Sequence, residues 1–175
     1  DLRELWLMDI DPARLAIMAP LCEAIVQAAG EPFRILRTTD LDDALRGADI
    51  IVTTVRVGFE RGRVFDERVA LKLGVLGQET TGAGGFSMAM RSIPVLLDVA
   101  ARAEVLAPRA WTFNFTNPAG LVAQAMHQAG YRRVVGICDS ANTAQQEVAR
   151  ALQLDVDRVK TEVFGLNHLS GTRRA

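Results

Sequence analysis

Short apolar runs rich in branched residues alternate along this chain with stretches patterned for helix. No other feature of the sequence constrains the fold as strongly. The apolar runs are "LWLMDI" (5–10), "FRILRTT" (33–39), "DIIVTTV" (49–55), "AWTFNFT" (110–116), "RVVGIC" (133–138) and "RVKTEVFGLNHL" (158–169). Helical patterns fill 11–30, 40–48, 86–108, 117–130 and 141–152, and a loop running into a helix fills 56–74. Strands that alternate with helices predict an α/β fold with a doubly wound parallel sheet. The continuous β-branched centre of 49–55 fits a strand buried on both faces, as parallel sheets require.

Local signals agree with this. Asp11 is placed to cap the first helix, Pro12 suits its first turn and Gly30 its end. Leu15, Met18, Cys22, Ile25 and Ala29 recur at helical spacing and predict an apolar face. Pro20 is expected to bend or split that helix, and Pro94 to bend the helix over 86–108. "QETTGAGG" (78–85) reads as a glycine-rich loop, which could cradle phosphate through backbone N–H groups or serve only as a turn-rich connection.

Composition removes several functional classes. The 175 residues are 49% apolar and 23% charged, enough for a globular core. A net charge of −1 gives no electrostatic attraction for nucleic acid or an anionic membrane surface. Two distant cysteines, Cys22 and Cys138, make no disulfide framework and fit a reducing cytoplasm. No apolar run is long enough to span a bilayer. "DLRELWLMDID" is charged and lacks the apolar stretch of a secretion signal. Because the first residue is not Met and a strand-like run follows at once, part of the natural N-terminus is expected to be missing.

Ligands of doubly wound sheets bind beyond the carboxyl ends of the strands. The polar residues there are Asp9, Arg56, Asn117, Cys138, Asp139, Asn167 and His168. Asp9 is either the acidic residue that accepts hydrogen bonds from the ribose of NAD or a helix cap. Cys138 and His168 are either a buried thiol and a core imidazole or two ligands of a borderline transition metal. Asn117 is a strand-end binding residue or an N-cap, with Pro118 opening the next helix. Arg56 and Arg63 are expected to flank a loop beside the cleft, with guanidinium groups suited to phosphate, or they solvate a surface. His127 lies inside a helix without polar company and reads as structural.

Taken together, "LMDID", "RVGFERGRVFDERVALKLGVLGQETTGAGGF", "FNFTNPAG", "GICDS" and "FGLNHL" resemble, in order, the family 4 glycoside hydrolases. These are NAD- and metal-dependent phosphoglycosidases. The resemblance implies a Rossmann-like domain related to lactate and malate dehydrogenases over 1–139. The start of a second, mixed α/β domain then follows over 140–175. It implies NAD and Mn²⁺, or another divalent metal, as cofactors. Cys138 and His168 match the metal ligands. Arg63 and Asn117 match substrate-contacting residues. Asp139 matches the proton donor of the phospho-α-glucosidase branch, and Glu79 an acidic residue that raises the basicity of a catalytic tyrosine.

The implied reaction is not the two-carboxylate scheme. It oxidises the sugar at C3, eliminates the C1 leaving group, adds water and returns the hydride. The implied substrate is a phosphorylated glucoside or disaccharide, and the implied assembly a homodimer or homotetramer. "ETTGAGGFSMAMRSIPVLL" and "TNPAG" look like the phospho-β-glucosidase branch, whereas "CDS" looks like the phospho-α-glucosidase branch; the greater part favours β. A glycine-rich phosphate loop is expected ahead of residue 1 and the catalytic tyrosine beyond residue 175, since Tyr131 stands elsewhere. The 175 residues alone are therefore expected to be inactive. The alternatives are an α-glycosidase of the same family, a hydroxy-acid dehydrogenase on the same fold, and a non-catalytic nucleotide-binding module.

Overall fold

The computed structural model describes residues 2–30 and 33–174. The chain forms two compact units, one of residues 1–51 and 101–110, the other of residues 52–100 and 111–175.

In the first unit, strands β1 (Glu4–Met8) and β2 (Arg34–Thr38) pair in parallel, from Glu4 opposite Arg34 to Met8 opposite Thr38. A parallel pair needs a crossover, and helix α1 (Pro12–Ala29) supplies it. Its start follows the sequence signals: Asp11 Oδ1 accepts the N–H of Ala13 at 2.9 Å and Pro12 sits in the first turn. Gly30 ends the helix in the left-handed region at φ 69°. Pro20 is accommodated inside one continuous helix. The expected apolar face is only partly buried. Leu15 and Ala19 are covered, but Met18 and Ile25 are exposed, because α1 is apolar nearly all round and offers more than one face. Helix α2 (Leu41–Leu45) is capped by Asp40, which accepts the N–H of Asp42 at 2.8 Å. Leu45, Ile51, Ala103, Ala107 and Ala110 form the core of this unit.

Strand β3 (Ile50–Thr53) carries the chain into the second unit and lies beside β4 (Trp111–Asn114), which lies beside β5 (Val134–Gly136). The β4–β5 pair is parallel, and helix α5 (Ala119–Gln128) makes the crossover between them. Helix α3 (Phe59–Lys72) follows β3, and α4 (Gly82–Leu106) is continuous through Pro94. Leu96 and Ala100 of α4 pack on Val122 and Met126 of α5 and on Val134 of β5. Helix α6 (Ser140–Ala151) follows β5.

The last run differs from expectation. In place of a sixth parallel strand stands an antiparallel hairpin, β6 (Glu162–Leu166) and β7 (Leu169–Arg174). Leu166 pairs with Leu169, so Asn167 and His168 are the two-residue turn. The glycine-rich stretch differs too: "GAGG" is the first turn of α4. A Cβ on Gly84 would lie 2.3 Å from the carbonyl oxygen of Gln78, so only glycine permits that close approach. Among the described residues, no helix is long and apolar enough to cross a membrane.

Candidate metal and substrate site

Cys138 stands between the end of β5 and the start of α6, and His168 stands in the hairpin turn. The fold brings them together: Cys138 Sγ lies 3.4 Å from His168 Nε2. His168 reaches this place at φ 57°, in the left-handed region where a hairpin turn more often carries glycine. Ser140 Oγ lies 3.0 Å from the same sulfur, and Asp139 Oδ1 lies 3.9 Å from it. Burial by itself would push the Cys138 thiol up. Hydrogen bonds from the Ser140 hydroxyl and N–H, from the Asn167 side chain and from His168 outweigh it and bring the pKa down to about 7.

This donor set fits a divalent transition ion. Bonds of about 2.3 Å to sulfur and about 2.1 Å to nitrogen put the two donors about 3.1 Å apart at a right angle and about 3.6 Å apart at the tetrahedral angle. The observed 3.4 Å falls within that span. Asn167 adds a buried oxygen, Oδ1, that finds no hydrogen-bond partner among the described residues. Among these residues no group of three His, Cys, Asp or Glu assembles. An ion held by Cys138 and His168 would therefore keep positions open for other ligands.

A buried polar network fixes the strand ends in this unit. Thr53 Oγ1 donates to Asn114 Oδ1 at 2.9 Å, and Asn114 Nδ2 donates to the carbonyl of Thr116 at 3.0 Å. The Val55 N–H donates to Thr116 Oγ1 at 3.0 Å. Asn114 and Thr116 are almost completely buried. The network sits immediately before Arg56 on one strand end and Asn117 on the other. Asn117 is half-buried and does not cap α5; Pro118 holds the cap position and the intervening peptide is cis. Sequence reasoning passed over Asn114 and Thr116 because polar residues inside an apolar strand look like noise.

Charged pairs organise the segment after β3. Arg56 Nη1 lies 2.7 Å from Glu79 Oε1, and Arg56 Nε lies 3.2 Å from Glu60 Oε1. Arg63 lies within α3 and not on a loop, and its Nε donates to Glu67 at 2.9 Å. The stretch 78–81 does not present free amides as a phosphate cradle would. Gln78 Oε1 accepts the N–H groups of Thr80 at 2.8 Å and of Thr81 at 2.6 Å. Beneath this segment, buried Asp66 of α3 meets Arg91 of α4, with Nη1 2.9 Å from Oδ1. Cβ atoms added to Gly58 and Gly62 would lie 3.2 and 3.1 Å from that guanidinium.

In the first unit, Asp9 follows β1 and is half-buried, and its Oδ1 accepts the N–H of Asp11 at 2.9 Å. A cavity of about 330 Å³ is lined by Pro12, Leu15 and Ala16 of α1 with Arg37, Thr38 and Thr39 at the end of β2. His127 Nε2 lies 3.1 Å from the Val134 carbonyl oxygen, which ties α5 to β5.

Parallel βα units with a thiol–imidazole pair beyond a strand end define an α/β protein of dehydrogenase-like architecture. Residues 1–154 match the model of the Family 4 glycosyl hydrolase. The chain belongs to that family. It is 45% identical over 170 residues to the probable 6-phospho-beta-glucosidase of Bacillus subtilis, covering 95% of this chain and 38% of that protein. Over the same length it is 41% identical to the 6-phospho-beta-glucosidase of Escherichia coli, with the same shares covered. It is 36% identical over 169 residues to 6-phospho-alpha-glucosidase 1 of Lacticaseibacillus paracasei, again covering 95% and 38%. The chain thus spans under half the length of the relatives it matches.

The 6-phospho-beta glucosidase of Thermotoga maritima, solved with manganese, NAD⁺ and glucose-6-phosphate, superposes with a TM-score of 0.87 at 30% identity. That superposition covers 96% of this chain and 40% of that one. Malate dehydrogenase of Plasmodium falciparum superposes at 0.67 and 17% identity over 98% of this chain and 48% of that one, a likeness of fold alone. The α/β class expected from the strand–helix alternation, and the Rossmann-like architecture implied by the family resemblance, are the ones found.

Proposed function

We propose that the protein to which this chain belongs hydrolyses 6-phospho-β-glucosides, using NAD and a divalent metal such as Mn²⁺. The observation that carries this reading is the 3.4 Å approach of Cys138 to His168 in a chain of this family. When bound, NAD⁺ and the ion supply hydride transfer and Lewis-acid stabilisation of an anionic oxygen.

The chain's own residues divide the remaining work. Cys138 and His168 hold the ion. Asp139, exposed and directly after Cys138, hands a proton to the departing group. Glu79, ion-paired with Arg56, polarises a neighbouring base. Arg63 and Asn117 bind the phosphorylated sugar; a guanidinium on a rigid helix suits an anionic oxygen pair. Asp9 accepts hydrogen bonds from the cofactor ribose with the lone pairs left over from its bond to Asp11. Residues 1–139 act as the cofactor domain and 140–175 open the catalytic one. The protein works in the cytoplasm as a homodimer or homotetramer.

An α-glucoside specificity is the second reading, and Asp139 after the cysteine is the residue that favours it. The test is release of an aglycone from matched α- and β-linked 6-phosphoglucosides by the full-length protein, with and without NAD⁺ and Mn²⁺. Turnover of the β-linked substrate only when both are present is expected. Undiminished turnover after exhaustive dialysis against a chelator would overturn the proposal.

A further inference from the structure

We infer that Ser140 is a positioning residue for the metal site: its hydroxyl donates to the Cys138 sulfur and sets how strongly that sulfur gives electron density to the ion. The inference rests on the proposal that Cys138 and His168 hold a divalent metal. Ser140 Oγ lies 3.0 Å from Cys138 Sγ, closer than the His168 Nε2 at 3.4 Å. Either atom could be the donor while the thiol keeps its proton. A sulfur bound to a metal is a thiolate and has no proton to give, so the serine hydroxyl must then donate. Asn167, next to His168 in the hairpin turn, is half-buried, and its Oδ1 finds no partner among the described residues. Ser140 is half-buried as the first residue of α6, so its hydroxyl is held in place by the helix. Outer donors of this kind orient metal ligands and tune their basicity.

A hydrogen bond lowers the energy of the sulfur lone pair from which charge transfer to a metal begins. The experiment loads the full-length protein with Co²⁺ and records the sulfur-to-cobalt charge-transfer absorption. The Ser140→Ala variant is expected to show the band moved to longer wavelength and Co²⁺ held about 10-fold more weakly. Ser140→Thr keeps a hydroxyl and is expected to restore both. A band in the same place in Ser140→Ala, or the same displacement in Ser140→Thr, overturns the inference while leaving the metal reading intact. If the unaltered protein shows no such band, or Cys138→Ser retains it, the metal reading itself fails and this inference with it.

Discussion

Cys138 and His168 are thirty residues apart in the chain, yet their side chains meet at 3.4 Å, one presented by a strand end and the other by a hairpin turn. Replacing Cys138 by Ser exchanges an anionic thiolate ligand for a neutral hydroxyl that binds a divalent cation poorly. In the full-length protein, bound Mn²⁺ measured after gel filtration is expected to fall at least about 100-fold, and turnover with it. A hydroxy-acid dehydrogenase on this fold needs no thiol ligand, so unimpaired turnover in Cys138→Ser would point to that class.

The turn that delivers His168 works against its own backbone preference. At φ 57° a residue with a Cβ is disfavoured by about 1 kcal/mol relative to glycine. His168→Gly is expected to leave stability unchanged or up to about 1 kcal/mol higher, while metal binding disappears. His168→Ala loses the ligand without relieving the backbone, so it should be the less stable of the two. Urea titration of both variants decides the order; Ala above Gly would contradict the strain.

Asn114 ties two strand ends through side-chain bonds at 2.9 and 3.0 Å. Asn114→Ala leaves the Thr53 hydroxyl and the Thr116 carbonyl buried without partners and is expected to cost about 3 kcal/mol. Thr53→Val removes one bond only and should cost about 1 kcal/mol. Because Arg56 and Asn117 follow directly, Asn114→Ala should also weaken substrate binding. Chemical denaturation combined with the KM of the full-length variants tests both expectations.

The guanidinium of Arg91, hydrogen-bonded to Asp66, is the main cause that holds its carboxyl below the ordinary range, against the opposing effect of burial. Stability from this pair is fully present above the ordinary carboxylate pKa of about 3.9 and is lost as pH falls through the depressed folded value. Asp66→Asn leaves Arg91 facing a neutral amide and is expected to cost about 3 kcal/mol at neutral pH. It should also flatten the fall in stability below pH 4. An unchanged acid profile would mean that the pair does not contribute to the pH dependence.

The α/β class, and the bounds of most helices and strands to within a few residues, were legible in the sequence because periodicity, caps and β-branched runs are local signals. Asp11, Pro12 and Gly30 mark α1 by chemistry that depends only on near neighbours. The motif residues were legible as a family pattern. What the linear chain did not disclose was set by distance and register. "RVKTEVFGLNHL" reads as one strand, and only pairing partners reveal that it folds back at Asn167 and His168. "GAGG" reads as a loop, and only the Gln78 carbonyl pressing on Gly84 shows why glycine is needed at a helix start. Asn114 looks misplaced until Thr53, sixty-one residues away, supplies its partner. The alternation of elements is encoded residue by residue, whereas the meeting of a thiol with an imidazole depends on where two elements come to rest, and packing alone decides that.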